Sequence, residues 1–253
     1  MLDFTLAKYK DLCLVMLESG YTPLSVYSYL TNNKAINNKT VILRHDVDRK
    51  VNSALKIAEL ENDLGINSTY YFRYPYTFKP GLIQSISSLG HEIGYHYETL
   101  SKTNGDQEKA IILFFDELEE MRKKCEVKTI CMHGRALSRH DNRDIWKASD
   151  FRDFGIIGEG YLSFNKDVHY FTDTGRGWNS KNNIRDFMNS GNTGYFINGT
   201  DDLIQLMRSG RPSTLYINAH PERWAINNID WLLNYARDSV YNIGKIFLGM
   251  VRK

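Results

Sequence analysis

The stretch "VILRHDVDRK", Val41 to Lys50, follows three apolar residues at once with Arg44, His45, Asp46 and Asp48. An unbroken run of branched apolar residues reads as a strand covered on both faces. Side chains two apart on a strand point to the same side, so Asp46 and Asp48 stand together at its C-terminal end. Two carboxylates placed so repel one another unless a cation or a shared proton lies between them. Of the seven histidines, His96, His133 and His220 share the position of Asp46: each follows an apolar run and precedes a loop or helix. In barrels and open parallel sheets the C-terminal strand ends meet at one face, where active sites are built. Imidazole and carboxylate gathered there suit zinc or another first-row divalent ion. His45 alternates to the side opposite Asp46 and His91 opens its strand at the far end, so both are expected to be structural.

The elements that must carry these residues alternate along the chain. Strand-like runs occur at "VILRHD", "STYYF", "HEIGYH", "KTICMHG", "GIIGE", "HYFTD" and "STLYINAH". Between several of them lie segments of helical spacing, "NSALKIAELENDLG", "GLIQSISSLG" and the long "DQEKAIILFFDELEEMRKK". Strand, helix, strand in succession predicts a parallel sheet with helices outside, and seven such strands suffice to close a barrel. Before them, a helix is predicted up to Ser19 with Gly20 as its stop, and a second over "YTPLSVYSYL" with Pro23 in its first turn. After them, Tyr161 to Asn198 is rich in Asn, Gly and aromatics and is expected to form loops over one end of the sheet. "GTDDLIQLMRSG" restarts a helix capped by Thr200 or Asp201, and the chain closes in a long helix from Asn228. No internal repeat or linker appears, so residues 1–253 are expected to form one domain, with a helical extension over 1–38.

Bulk properties narrow the partners. Charged residues make up 25% of the 253 and the formal net charge is +2, which points neither to nucleic acid nor to a lipid surface. Cys13, Cys125 and Cys131 are odd in number and form no CxxC pair, as in a reduced compartment. No apolar stretch approaches the length of a membrane span, and the charged N-terminal segment lacks the uninterrupted core of a signal peptide. A cytoplasmic location is expected from this.

The run "STYYF" after "AELENDLGIN", then "LGHEIGYHYE", with an Asp pair on the first strand and a histidine after the last, resembles the polysaccharide deacetylase superfamily (NodB-like carbohydrate esterases) from Val41 to Trp224. The resemblance implies a distorted (β/α)7 barrel and hydrolytic removal of an N-acetyl group, with one divalent metal ion, zinc foremost. It makes Asp46 the catalytic base, Asp48 and His96 metal ligands, and His220 the acid. Two departures stand out. Val47 separates the two acids that the common pattern has adjacent, and Leu100 stands where the family has its second metal histidine. His133 is the candidate for the third ligand, because it ends a strand and is followed by Gly134, with Glu98 as the alternative. In "DTGRGW", Asp173 and Trp178 echo the family's "DxxDW" while Arg176 replaces its middle acid.

In "NAHPERW", Pro221 disfavours the α conformation at His220 and so holds it extended, while Glu222 or Asp173 is expected to stabilise its protonated form. Tyr74, Tyr76, Tyr97, Trp178 and Trp224 are candidates to stack on a sugar ring, and Arg135 or Arg176 to meet a carboxylate or phosphate. The expected substrate is an N-acetylated sugar, as a nucleotide-linked or lipid-linked precursor of a surface polysaccharide. Four other readings compete: a DxD glycosyltransferase, an aspartyl-phosphate phosphatase, a cyclic-amide hydrolase on the same scaffold, and a non-catalytic sugar-binding relative. The first two give His96, His133 and His220 no role or conflict with Arg44 and His45.

Overall fold

The computed structural model describes residues 2–32, 39–135, 138–178, 185–188 and 194–251, with 245–251 described by backbone alone. Residues 33–38, the end of the expected N-terminal extension, lie outside the described residues. Eight strands form one parallel sheet: β1 (Thr22–Leu24), β2 (Thr40–Val47), β3 (Thr69–Phe72), β4 (Glu92–Tyr97), β5 (Thr129–Met132), β6 (Gly158–Glu159), β7 (His169–Thr172) and β8 (Thr214–Ala219). Their order is β6-β5-β4-β3-β2-β8-β7, with β1 beside β2. Right-handed strand twist curls such a sheet. The result is the expected distorted (β/α)7 arrangement, left open between β6 and β7 among the described residues.

Strand β2 is central, and all of its residues are buried. It pairs with β8 from Thr40 to His45, while its other edge is shared by β1 over Thr40 to Ile42 and β3 over Arg44 to Val47. The helices between strands pack outside: α3 (Val51–Asp63), α4 (Pro80–Ser88), the short α5 (Thr99–Lys102) and α6 (Gln107–Arg122). Their apolar sides enter one core, with Ala54, Ile57, Ile83, Phe114 and Leu118 all buried. Among the described residues no helix is long and apolar enough to cross a membrane.

The N-terminal segment is built into this body. Helix α1 (Leu6–Glu18) ends at Ser19 and Gly20 as expected, and packs on α7 (Thr200–Arg208), where Lys8 Nζ lies 2.8 Å from Asp201 Oδ1. Residues 22–24, expected in the first turn of a helix, instead form β1, and helix α2 (Val26–Thr31) starts later. Ser25 decides this, since its side chain accepts from the Ser28 N–H and caps the helix there. Pro23, with no N–H to donate, is tolerated on the short edge strand. Helix α7 is likewise capped one residue earlier than expected, at Gly199, where the Asp202 carboxylate accepts the N–H groups of Asn198 and Gly199 at 2.9 and 3.3 Å.

Helix α8 (Asn228–Val251) is attached in an unusual manner. Its polar Asn234 and Asp238 are buried, whereas Ile229, Leu232, Leu233 and Val240 are exposed. Lys50 Nζ donates to Asp230 at 2.6 Å and to Asn234 at 2.8 Å, and Asp238 lies 3.7 Å from Arg49 and 3.6 Å from Arg176. Polar contacts, and little apolar burial, hold this helix on the body.

Candidate metal centre and active site

The C-terminal ends of β2, β4, β5 and β8 bring the sequence-selected residues to one place. Asp48 Oδ1 lies 3.3 Å from His96 Nε2 and 3.5 Å from His133 Nε2, and Asp48 Oδ2 lies 3.9 Å from His220 Nε2. Asp48, His96 and His133 each offer one donor atom, all within 4.8 Å of one another. Asp46 is beside them, with Oδ2 4.0 Å from His96 Nε2. His45 and His91 are elsewhere, on the outward side of the sheet. There Glu61 accepts from His45 Nε2 at 2.8 Å and from Ser68 and Tyr70 at 2.7 Å each, and also from Tyr9.

The orientation of each histidine is fixed by its other nitrogen. His96 Nδ1–H donates to the Cys131 carbonyl at 2.9 Å, which leaves the Nε2 lone pair towards Asp48. His133 Nδ1–H donates to Glu98 Oε2 at 2.9 Å, and Arg73 Nη2 donates to Glu98 Oε1 at 2.8 Å. Glu98, the alternative third ligand, is thus consumed in orienting His133. Leu100 is buried in α5, and the position of a third donor is supplied instead from the end of β5.

These residues fit a divalent cation. Asp48 Oδ1 is buried yet has no hydrogen-bond partner, although a buried carboxylate oxygen needs one. Two imidazoles and a carboxylate, with a carboxylate oriented behind one imidazole, form a donor set typical of zinc sites. A second grouping, Asp46, His96 and Cys131, is less suited. Burial pushes the Cys131 thiol well up, which keeps it protonated.

Charge in the site follows from its neighbours. Burial alone would raise Asp48, but His133, His96 and His220 more than offset it and hold the carboxyl well below its usual range. Burial keeps His133 low, against the pull of Asp48 and Glu98. His220 differs. Burial and Arg223 oppose its charge, yet Asp173, bonded to Nδ1 at 2.6 Å, pushes it up to about 9. Asp173 also accepts the His220 backbone N–H and Trp224 Nε1–H at 3.0 Å each, and Arg223 Nη1–H at 2.9 Å. Of the two acids expected to face His220, Asp173 does so, while Glu222 accepts from Arg49 at 3.3 Å.

Asp46 is oriented from inside the barrel. Its Oδ2 accepts from Asn218 Nδ2 at 2.9 Å and Arg44 Nη2 at 3.4 Å, which leaves Oδ1 without a partner. Arg44, fully buried, crosses the interior to donate to the Gly160 carbonyl at 3.1 Å and to Tyr216 and Tyr170 at 3.0 and 2.9 Å. A Cβ at position 160 would overlap Arg44 Nη1, so only glycine leaves room. Sequence reasoning missed Arg44, Asn218 and Arg223. The sole signal was a charged residue inside an apolar strand.

A cleft of about 520 Å³ opens from Asp48 and His133, within the range of small-molecule sites. Arg49, Arg73, Arg135, Arg223 and, from α8, Asp238 and Tyr241 also line it. Most aromatics expected to stack on a sugar are packing residues: Tyr97, Trp178 and Trp224 are buried, and Trp178 Nε1 donates to Thr200 at 3.0 Å. Among the described residues Tyr241 is the aromatic of the cleft wall. Arg176 is turned to Asp238 on α8, so Arg135 alone of the two expected arginines reaches the cleft.

No protein-family model matches the chain, and no curated protein matches it. Solved structures do. The chain is similar to a family 4 carbohydrate esterase from Streptococcus mutans, at 11% identity over 86% of each chain with a TM-score of 0.49. It is similar to the catalytic domain of a peptidoglycan N-acetylglucosamine deacetylase from Eubacterium rectale, at 16% identity over 81% of this chain and 86% of that one, TM-score 0.46. A family 4 pseudoenzyme from Bacillus anthracis matches at 14% identity over 81% of this chain, TM-score 0.45. The chain spans 62% of that pseudoenzyme and 66% of a matching Streptococcus pyogenes deacetylase. These neighbours comprise a carbohydrate esterase, two deacetylases and a pseudoenzyme.

Proposed function

We propose that the protein is a metal-dependent hydrolase that removes an N-acetyl group from a sugar, with Asp48, His96 and His133 as ligands, zinc as the metal, Asp46 as base and His220 as acid. The observation that carries this is the convergence of three oriented donors beside an unpartnered Asp46 Oδ1 and a histidine held protonated by Asp173. When bound, a divalent ion supplies Lewis acidity, polarising a carbonyl and lowering the pKa of water from 15.7 towards roughly 7.

The chain's own residues do the rest. Arg44 and Asn218 hold one oxygen of Asp46, so the other is the one free to take a proton from water attacking the acetyl carbon. The amide nitrogen must be protonated before it leaves, because an amine departs as a neutral molecule. His220 keeps Nδ1 on Asp173 and so presents its Nε2–H for that transfer. The cleft beside them seats the sugar, with the Tyr241 ring in its wall. A role in surface-polysaccharide synthesis follows if the sugar is a precursor of such a polymer.

The test is acetate release from N-acetylated sugars by zinc-loaded protein, with Asp46→Asn as control. The variant is expected to lose about 10²- to 10⁴-fold in turnover while keeping its metal. Loss of metal with turnover would instead make Asp46 a ligand. Metal binding with no acetate release from any N-acetylated sugar, wild type included, would turn the reading to a sugar-binding relative.

A further inference from the structure

The cleft carries an imbalance of charge that hydrolysis of an amide does not require. Among the described residues its charged lining is Arg49, Arg73, Arg135 and Arg223 against Asp48 and Asp238. Three of the four arginines are already committed. Arg73 donates to Glu98 at 2.8 Å and to the Asp48 carbonyl at 3.1 Å, Arg49 to Glu222 at 3.3 Å, and Arg223 to Asp173 at 2.9 Å. Arg135 is different: it is exposed, and its guanidinium has no partner among the described residues. Its backbone is nevertheless tied down, the N–H donating to the His133 carbonyl at 3.0 Å and the carbonyl accepting from Arg185 at 2.9 Å. A fixed backbone two residues beyond His133 keeps this cation at the cleft.

A guanidinium offers five donors in a planar fork that matches the oxygens of carboxylate or phosphate. With the other three arginines turned to carboxylates, Arg135 is the cation of this lining left to meet an anionic ligand. We infer that the cleft selects an acylamino sugar bearing an anionic group, a carboxylate or a phosphate, and that Arg135 binds that group. The inference rests on the proposed reading of the cleft as the sugar site. A uronic acid supplies the carboxylate, and a sugar phosphate or nucleotide-linked or lipid-linked sugar supplies the phosphate.

Calorimetric titration of the metal-loaded protein with N-acetylglucosamine, its 1-phosphate and its 6-carboxylate separates these sources. At least one charged probe is expected to bind ten-fold or more tightly than the neutral sugar, and the preference is expected to shrink as salt rises. Arg135→Ala, at an exposed position remote from the core, is expected to weaken that charged probe five-fold or more and leave the neutral sugar unchanged. Equal binding of all three probes, no binding of either charged probe, or an undiminished preference in Arg135→Ala would overturn the inference. Acetate release measured on the same samples keeps the two proposals apart. A charged preference without acetate release sinks the hydrolase and spares the anion site; acetate release without a preference does the reverse.

Discussion

At the scale of single residues, the site divides into donors that face the cleft and groups that aim them. Glu98 belongs to the second kind. Burial would raise its carboxyl, but His133 and then Arg73 lower it to about 2, so it is a constant anion behind His133. Glu98→Gln should therefore keep the fold and weaken zinc affinity about 10- to 100-fold, the usual effect of losing such a partner; a competition titration against a chromophoric chelator reads it. A second buried carboxylate, Glu61, ties stability to pH. Burial would raise it, but the charge and hydrogen bond of His45, with His91, bring it down to about 2 from an ordinary 4.5. A depressed carboxyl stabilises the fold above its unfolded value and loses that contribution as pH falls from about 4.5 towards 2. The loss is on the order of 3 kcal/mol, and urea melts of wild type and Glu61→Gln should converge as pH drops through that window. His45 and His91 were legible as structural because alternation and strand position exclude them from the Asp46 side. Glu61 was not, since nothing in a helical sequence marks which acid will be buried.

At the scale of elements, the seven strands anticipated from sequence all form, because each is an apolar run closed by a turn signal and covered by helices. β1 was missed. Three residues with a proline carry too little pattern, and only the N-terminal part of the β2 edge that β3 does not reach gives them a partner. The attachment of α8 was equally hidden, because it runs against the rule that a helix buries its apolar stripe. Asp238 is the hinge of that attachment, facing both Arg49 and Arg176. Asp238→Ala leaves Arg176 without its carboxylate and Arg49 with Glu222 alone. The expected result is faster amide hydrogen exchange in α8 by about ten-fold, corresponding to ~1.4 kcal/mol of local stability, with exchange in β2 and β8 unchanged. Uniform acceleration throughout the chain would show that α8 opens only with the whole fold.

At the scale of the whole molecule, a net charge of +2 conceals an uneven distribution, with four arginines around one cleft. Composition could not disclose this, whereas the parallel topology could disclose the site, since it sends every β2, β4, β5 and β8 terminus to one face. What topology leaves open is which side chains cross the barrel. Arg44 reaches Gly160, 116 positions away in sequence, and no spacing rule foretells that pairing.

The claim on which the rest depends is that Asp48, His96 and His133 hold a divalent ion. Zinc content by elemental analysis of the purified protein, wild type beside His96→Ala, tests it most directly. The account expects about one equivalent of metal in the wild type and little in the variant, with both proteins equally folded by circular dichroism. No metal in the wild type, and none taken up on addition of zinc, would contradict it and remove the basis for hydrolysis at this site.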